Sequence, residues 1–206
     1  MHTRCSGSFL QFLTLTIRGS ADILWLVLNP FMSAGPAKLW VALAEGEALV
    51  KVCGRATFAC SADFKRLLGE LRERGWQRFT LDLSECPLMD STFLGILAGF
   101  GMKLKEAKSQ KATLLNPSPK IVDLLDNLGV AHLFETQQGA TALAAQCHPV
   151  EPFGAPAGKA ETTRTALEAH QTLMAINPAN VPKFKDVTCF LAEDLKKLEP
   201  PPRQSH

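Results

Sequence analysis

The chain has 206 residues, 46% of them hydrophobic and 20% charged, a composition typical of one globular domain with an appendage. Its net charge of +2, without a dense basic cluster, argues against nucleic acid as a partner. The six cysteines form no C-x-x-C pair and have no histidine at zinc-ligand spacing. We therefore expect reduced thiols in a cytoplasmic protein and no metal site.

The first 36 residues are an uncertain N-terminal extension. Their apolar runs are interrupted by Arg18 and Asp22, so no unbroken span could cross a membrane, and no stable membrane association is expected. Met32 begins the segment MSAGPAKLW, which has the pattern of a natural start. We therefore expect translation to begin at Met32 and residues 1–31 to be an upstream reading artefact. A weak signal or anchoring segment and a genuine extension are the alternatives.

Residues 37–147 are predicted to form one domain in which strands and helices alternate. The segments LWVAL and LVKVCG flank the turn AEGEA and predict an opening hairpin. SADFKRLLGELRERG has a helical apolar stripe between Ser61, which can cap its start, and Gly75 at its end. RFTLDL is the next strand, and a helix opens at MDST.

Gly95 and Gly99 lie four residues apart on that helix, and we expect them to let it approach the sheet closely. The strand KATLLN and the helix PSPKIVDLLDNLG follow, the helix having Ser118 as its N-cap, Pro119 at its first position and Gly129 after its end. HLFET is predicted as the last strand and GATALAAQC as a short helix. This order predicts an α/β fold with a mixed, mostly parallel β-sheet and helices packed against it.

The C-terminal region is predicted to be a linker, 148–160, and an α-helical hairpin, 161–199. The linker is rich in Pro, Gly and Ala. The helices have apolar stripes, formed by Leu167, His170, Leu173 and Met174 in the first and by Val187, Phe190, Leu191, Leu195 and Leu198 in the second. The hairpin cannot bury these stripes alone, so it must dock on the main domain, on another copy or on a partner. We hypothesise that it modifies homodimer formation or adds a second binding surface, with His170 as a packed structural histidine.

Enzymatic motifs are missing from the sequence. It has no G-x-x-x-x-G-K-[ST], H-E-x-x-H or G-x-S-x-G, and no convincing acid/base pair. The segment of interest is Asp90-Ser91, at the start of the helix that opens at MDST. Its residues are good N-caps, and a helix N-terminus also tolerates an anion. A phosphate on Ser91 would leave the helix intact and add a charge of about −1.5 to −2 at pH 7.

Several motifs stand in the order typical of one family. They are Asp82-Leu83-Ser84, Asp90-Ser91, Leu94-Gly95, Asn116-Pro117-Ser118-Pro119 and Leu128-Gly129-Val130. Together they resemble the STAS domain of bacterial anti-sigma factor antagonists, and the resemblance covers about residues 37–147. It implies a small α/β domain without enzymatic activity or a cofactor of its own.

The resemblance also implies a regulatory cycle. A serine kinase that is also an anti-sigma factor would phosphorylate Ser91, and a metal-dependent serine phosphatase would remove the phosphate. The unphosphorylated form would bind the kinase and free the sigma factor, which is regulation of transcription by partner switching.

The loops that follow parallel strands meet at one edge of a sheet. The expected partner-binding residues are therefore Asp90, Ser91, Thr92, Phe93, Thr57, Asn116 and Ser118, with no catalytic and no metal-binding residue among them. Two of these depart from the family pattern: Phe93 stands where the family has glycine, and Thr57 where it often has aspartate. Two alternatives stay open, a STAS subunit that docks on an ABC transporter ATPase and a nucleotide or small-ligand sensor.

Overall fold

The structure is a computed structural model that describes residues 37–44, 46–150 and 157–198. These residues all belong to one compact unit, Gly35–His206. The predictions made for residues 1–36, including a start at Met32, lie outside the described residues.

The described part of the chain contains six strands and five α-helices. The strands are β1 Lys38–Ala44, β2 Glu47–Cys53, β3 Arg78–Asp82, β4 Ala112–Leu115, β5 Phe134–Gln137 and β6 His148–Pro149. The α-helices are α1 Phe58–Glu73, α2 Ser91–Glu106, α3 Pro119–Asn127, α4 Lys159–Ile176 and α5 Val181–Leu198. Short 3-10 turns span Ala131–Leu133, Ala142–Gln146 and Pro178–Asn180.

The strands form one mixed sheet in the order β5-β4-β3-β2-β1-β6. Strands β2, β3, β4 and β5 run parallel, whereas β1 is antiparallel to both β2 and β6. The main core joins the sheet to α1, α2 and α3. This architecture, with the α4–α5 hairpin, confirms the predicted α/β fold class. None of the described helices is long and apolar enough to cross a membrane.

Three local expectations from the sequence are wrong. The segment predicted as a linker begins with a strand, because His148 and Pro149 pair with β1. The sequence GATALAAQC forms a 3-10 turn rather than an α-helix. Ser61 does not cap α1, which already begins at Phe58. Ser61 lies inside that helix, where its hydroxyl donates a hydrogen bond of 3.0 Å to the Thr57 carbonyl.

Helix α4 packs on the outer side of α1 and α2. A Cβ on Gly95 would lie 2.7 Å from the Cβ of Ala169, and a Cβ on Gly99 would lie 3.5 Å from Thr172 Cγ2. The two glycines therefore allow α4 to pack closely against α2. The expectation that they bring α2 close to the sheet is wrong. Glu168 of α4 forms an ion pair with Lys65 of α1.

The turn between α4 and α5 is anchored to the end of α3. The buried Asn180 side chain donates hydrogen bonds of 2.9 Å to the Leu128 carbonyl and 3.0 Å to the Leu173 carbonyl. Lys183 Nζ donates to the Asn127 carbonyl at 3.0 Å. The Leu128 and Asn127 carbonyls lie at the end of α3, where a helix leaves such groups without a partner of its own. The hairpin is thus docked on its own domain.

The apolar stripes of the hairpin only partly form its interfaces. In α4 the buried residues are Thr165, Ala166, Ala169, His170 and Leu173. In α5 the Phe184 side chain packs against the core, while Val187 and Phe190 of the predicted stripe are exposed. Much of the contact between α4 and α2 is formed by small residues rather than by the larger residues of the stripe. The glycines of α2 bring the two helices so close that only small side chains fit between them.

Candidate functional site

The Asp90 carboxylate holds the N-termini of two helices. Its Oδ1 accepts a hydrogen bond of 2.8 Å from the N–H of Phe93 in α2, and its Oδ2 accepts one of 2.7 Å from the N–H of Phe58 in α1. The Asp90 N–H itself donates to the Ala56 carbonyl at 2.9 Å. One carboxylate therefore caps both helices and leaves Ser91 free of that task.

Ser91 is the first residue of α2 and is half-buried. Its Oγ lies 2.9 Å from Nε2 of His170, which comes from α4, 79 residues further along the chain. In the described part of the chain, the backbone N–H groups of Ser91 and Thr92 donate to no acceptor. The N-terminus of α2 thus presents one hydroxyl, bonded to the hairpin, and two unpaired backbone donors.

His170 is buried and is oriented from both sides. Its Nδ1 lies 2.8 Å from the Ala166 carbonyl, and its ring centroid lies 5.0 Å from that of Phe184 in α5. A carbonyl only accepts, so Nδ1 carries the proton of the bond to Ala166. In the neutral ring Nε2 is then an acceptor, and the Ser91 hydroxyl donates to it.

A serine bonded to an oriented histidine is also the geometry of an activated nucleophile. Catalysis would further need a substrate cavity beside the pair. A cleft of about 510 Å³ between α1, α2 and α4 is lined by Gly95 and Ala169 but not by Ser91 or His170. In the structure the pair joins the domain to its hairpin.

Thr92 and Phe93 lie inside the domain. Phe93 is fully buried, and its ring stacks on Phe64 of α1 with 4.2 Å between the centroids. Thr92 is also buried. The expectation that both contact a partner is at odds with this arrangement, since neither side chain is accessible. Phe93 occupies core volume between α1 and α2.

The other predicted contact residues follow the strands β2 and β4. Thr57 is half-buried and precedes α1, without a side-chain capping bond. Its loop is tied to the one before α2, since the Ala56 N–H donates to the Leu88 carbonyl at 3.1 Å. The structure thus brings Thr57 next to Asp90.

The Asn116–Ser118 loop is organised locally. Asn116 has a positive φ of 54° and forms two hydrogen bonds with Gly139, of 2.7 and 2.9 Å. Ser118 caps α3, as predicted, by accepting from the Ile121 N–H at 3.4 Å. Among the bonds described, none joins this loop to the loop around Ser91.

Charged and thiol groups near this edge are held by specific neighbours. Lys51 Nζ forms an ion pair of 2.6 Å with Glu85, and this hydrogen bond raises the pKa of Lys51 and lowers that of Glu85. Burial raises the pKa of Cys60, whose Sγ donates to the Thr57 carbonyl at 3.2 Å. Within the described ranges, no group of three or more His, Cys, Asp or Glu residues could hold a metal ion.

Two roles are not apparent from the sequence: His170 as the partner of Ser91, and Asp90 as the cap of both α1 and α2. The apolar stripe of α4 predicts that His170 is buried, but it does not predict which residue His170 contacts. The cap of α1 comes from Asp90, 32 residues further along the chain, so no local pattern around α1 could indicate it.

Comparison with known proteins finds one family model and several solved structures that resemble the chain. Residues 42–141 match the family model of the STAS domain. The cell-fate determinant SpoIIAA of Bacillus, in its phosphorylated form, is 16% identical, with a TM-score of 0.43, over 52% of this chain and 96% of that one. The unphosphorylated anti-sigma factor antagonist SpoIIAA has the same identity and TM-score, over 52% and 94%. The TM1081 protein of Thermotoga maritima is 16% identical, with a TM-score of 0.42, over 52% and 90%.

No curated protein sequence matches the chain. The family assignment rests on the family model, which covers the last three residues of β1, the strands β2 to β5, and α1, α2 and α3. Residues 42–141 therefore match a STAS domain, and the C-terminal hairpin lies outside the matched residues.

Proposed function

We propose that this protein is a non-enzymatic, phosphorylation-gated binding module of the anti-sigma factor antagonist type, with Ser91 as the phosphate acceptor. A serine kinase that is also an anti-sigma factor is the proposed partner of the unphosphorylated form, and a serine phosphatase restores that form. The cytoplasm is the proposed compartment, because the five described cysteines are all unpaired.

The position of Ser91 is the observation that carries this proposal. Within a STAS domain, Ser91 opens α2 directly after the capping Asp90, so the helix starts without using the serine hydroxyl. A phosphate attached there would lie at the positive end of a helix whose first two N–H groups lack an acceptor among the described residues. Helix α2 would therefore tolerate the modification.

The reaction is supplied by the partners. The kinase transfers the γ-phosphoryl group of ATP to Ser91 Oγ: the bond between that phosphorus and ADP breaks, an O–P bond forms, and the hydroxyl proton passes to a base of the kinase. The phosphatase uses water to break the O–P bond, which releases inorganic phosphate and restores the hydroxyl. The added dianion, next to the Asp90 carboxylate, repels an acidic partner surface and is costly to desolvate in any interface.

The test is affinity capture from the native cell with four versions of the full chain: wild type, Ser91→Ala, Ser91→Asp and the control Ser84→Ala. Ser84 is an exposed serine of the same loop edge. We expect an ATP-binding serine kinase with the wild type, Ser91→Ala and Ser84→Ala, and at least a tenfold lower recovery with Ser91→Asp. Mass spectrometry of the recovered wild type should place phosphate on Ser91.

Equal recovery of the kinase by Ser91→Ala and Ser91→Asp would contradict gating by phosphate. Recovery of a transporter ATPase in place of a kinase would favour the transport alternative.

A further inference from the structure

We propose that the α4–α5 hairpin is an intramolecular ligand of the Ser91 surface, so that a docked hairpin and a partner-bound or phosphorylated Ser91 exclude each other. This inference rests on the proposed function, because it concerns how the same serine is regulated. The occupant of the surface is a segment of this chain, Lys159–Leu198, and a kinase must displace it to reach Ser91.

The docked hairpin engages the Ser91 hydroxyl in a hydrogen bond. Phosphoryl transfer requires an Oγ lone pair directed at the γ-phosphate and a path for the hydroxyl proton to a base of the kinase. In the docked hairpin Ser91 Oγ is hydrogen-bonded to His170 Nε2 at 2.9 Å, and the imidazole is itself buried. A kinase must therefore break this hydrogen bond to α4 before Ser91 Oγ can react.

Helices α2 and α4 also lie close together beyond Ser91. One turn further along α2, a Cβ on Gly95 would already lie 2.7 Å from the carbonyl carbon and the Cβ of Ala169. No partner side chain could enter between the helices at that spacing. A partner that covers Ser91 and the adjacent turn of α2 must therefore separate α4 from α2.

The hairpin is also held to the domain at several points other than Ser91. On α1, Glu161 accepts a hydrogen bond of 2.5 Å from Arg66, and Glu168 forms an ion pair with Lys65. At the turn, Asn180 bonds to the Leu128 carbonyl at 2.9 Å. Exposed ion pairs contribute little on their own. Apolar burial, the Asn180 hydrogen bonds and the Ser91–His170 bond therefore provide the specific part of the docking.

Competition of this kind has a quantitative consequence. If only a fraction f of the molecules has an undocked hairpin, the apparent dissociation constant for the partner is the intrinsic one divided by f. Changes that weaken the docking should raise partner affinity and Ser91 reactivity by the same factor as f, as long as f is small.

The experiment is hydrogen–deuterium exchange of the full chain, read in peptides from α4 and, as an internal control, in peptides from β3. Most of the stability of a helix in a protein comes from its packing, so the amides of α4 exchange through undocking. The variants are His170→Ala and Ser91→Ala, singly and together, with exposed His132→Ala as the matched control. A further chain carries phosphoserine at 91, incorporated during translation, and its control carries phosphoserine at exposed Ser84.

We expect Ser91→Ala to speed exchange in α4 by about three- to tenfold, the effect of one lost hydrogen bond. His170→Ala should speed it by at least as much, because that change also removes a buried ring packed on Phe184. The double variant should add little, because both changes remove the same bond. Phosphoserine at 91 should speed exchange in α4 by more than tenfold, while β3 stays protected. His132→Ala and phosphoserine at 84 should match the unmodified wild type.

Wild-type protection of α4 in the chain with phosphoserine at 91 would overturn the proposal, as would unchanged exchange in both single variants. Faster exchange of β3 and α4 together would also overturn it, because the hairpin would then be part of the global fold. The phosphoserine needs no kinase. A failure of the proposed function, with no kinase and no phosphate found in the native cell, is therefore a separate result.

Discussion

Gly95 of α2 and Ala169 of α4 are in direct contact: a Cβ placed on the glycine would lie 2.7 Å from the alanine Cβ. This contact seats the hairpin on the STAS domain beside Ser91. It follows from a glycine on one helix and an alanine on the other, so it can be tested by adding a single methyl group.

Gly95→Ala should destabilise the protein by roughly 1–3 kcal/mol, because the added methyl overpacks the helix contact and outweighs the gain in helix propensity. Gly69→Ala is the matched control, since a Cβ there would meet nothing within 4 Å. It should stabilise the protein by roughly 0.5–1 kcal/mol. Urea unfolding measures both changes in the free energy of unfolding. An equal gain for the two variants would contradict the seating of α4 on Gly95.

Asp90→Ala should cost roughly 2 kcal/mol, about twice the typical value for a single cap, because the carboxylate bonds the N–H groups of Phe58 and Phe93. Asp90→Asn keeps one acceptor oxygen and should cost about half as much. Exposed Asp126→Ala should change stability by less than about 0.5 kcal/mol. Thermal or urea unfolding tests this order, and a cost for Asp90→Ala no larger than for Asp90→Asn would argue against the double cap.

Phe93→Leu should cost roughly 1–2 kcal/mol through loss of the ring stacked on Phe64. Phe58→Leu is the aromatic control, because Phe58 is 57% exposed, and it should cost less than about 0.5 kcal/mol. Urea unfolding measures both variants. Binding of the captured kinase should be unchanged in Phe93→Leu, since the Phe93 side chain is buried. A large loss of binding at unchanged stability would place Phe93 on the partner surface after all.

Asn180→Ala should cost roughly 2 kcal/mol, because it removes two hydrogen bonds of a buried amide, to the Leu128 and Leu173 carbonyls. Each carbonyl keeps a second donor from Asn177. Asn127→Ala removes an exposed amide near the same helix end and should be nearly neutral. The free energy of unfolding of the two full-length variants is the measurement. Similar costs for both would show that Asn180 does not anchor the hairpin turn.

The cysteines should differ widely in reactivity. Burial raises the pKa of Cys86 to about 11, whereas Cys189 is exposed. At pH 8 a maleimide should therefore label Cys189 of the native protein within minutes and Cys86 only after unfolding, as peptide mapping would show. Because the folded-state pKa of Cys86 is raised, its contribution to stability is complete below pH 9 and is lost as the pH rises towards 11. Rapid labelling of Cys86 at pH 8 in urea-free buffer would contradict its burial.

The fold class could be predicted from the sequence because its signals are local. Strand alternation and helical stripes follow from which residues must face a core, and Ser118 and Gly129 mark the ends of α3 where the structure has them. Patterns that depend on a distant partner failed. Ser61 is a good cap by type, yet the cap of α1 comes from Asp90, which reaches it through the pairing of two loops.

By itself the sequence determined the STAS architecture, the hairpin and the place of Ser91 at the start of a helix, since periodicity, capping residues and motif order are properties of neighbours along the chain. Only the tertiary structure decided that Asp90 caps two helices, that Phe93 points into the core and that the segment CPLMDSTFLGILAGFG faces the hairpin through Gly95. It also decided that Ser91 meets His170. The physical reason is that these contacts join groups dozens of residues apart, and which groups meet depends on how helices pack, which no local pattern encodes.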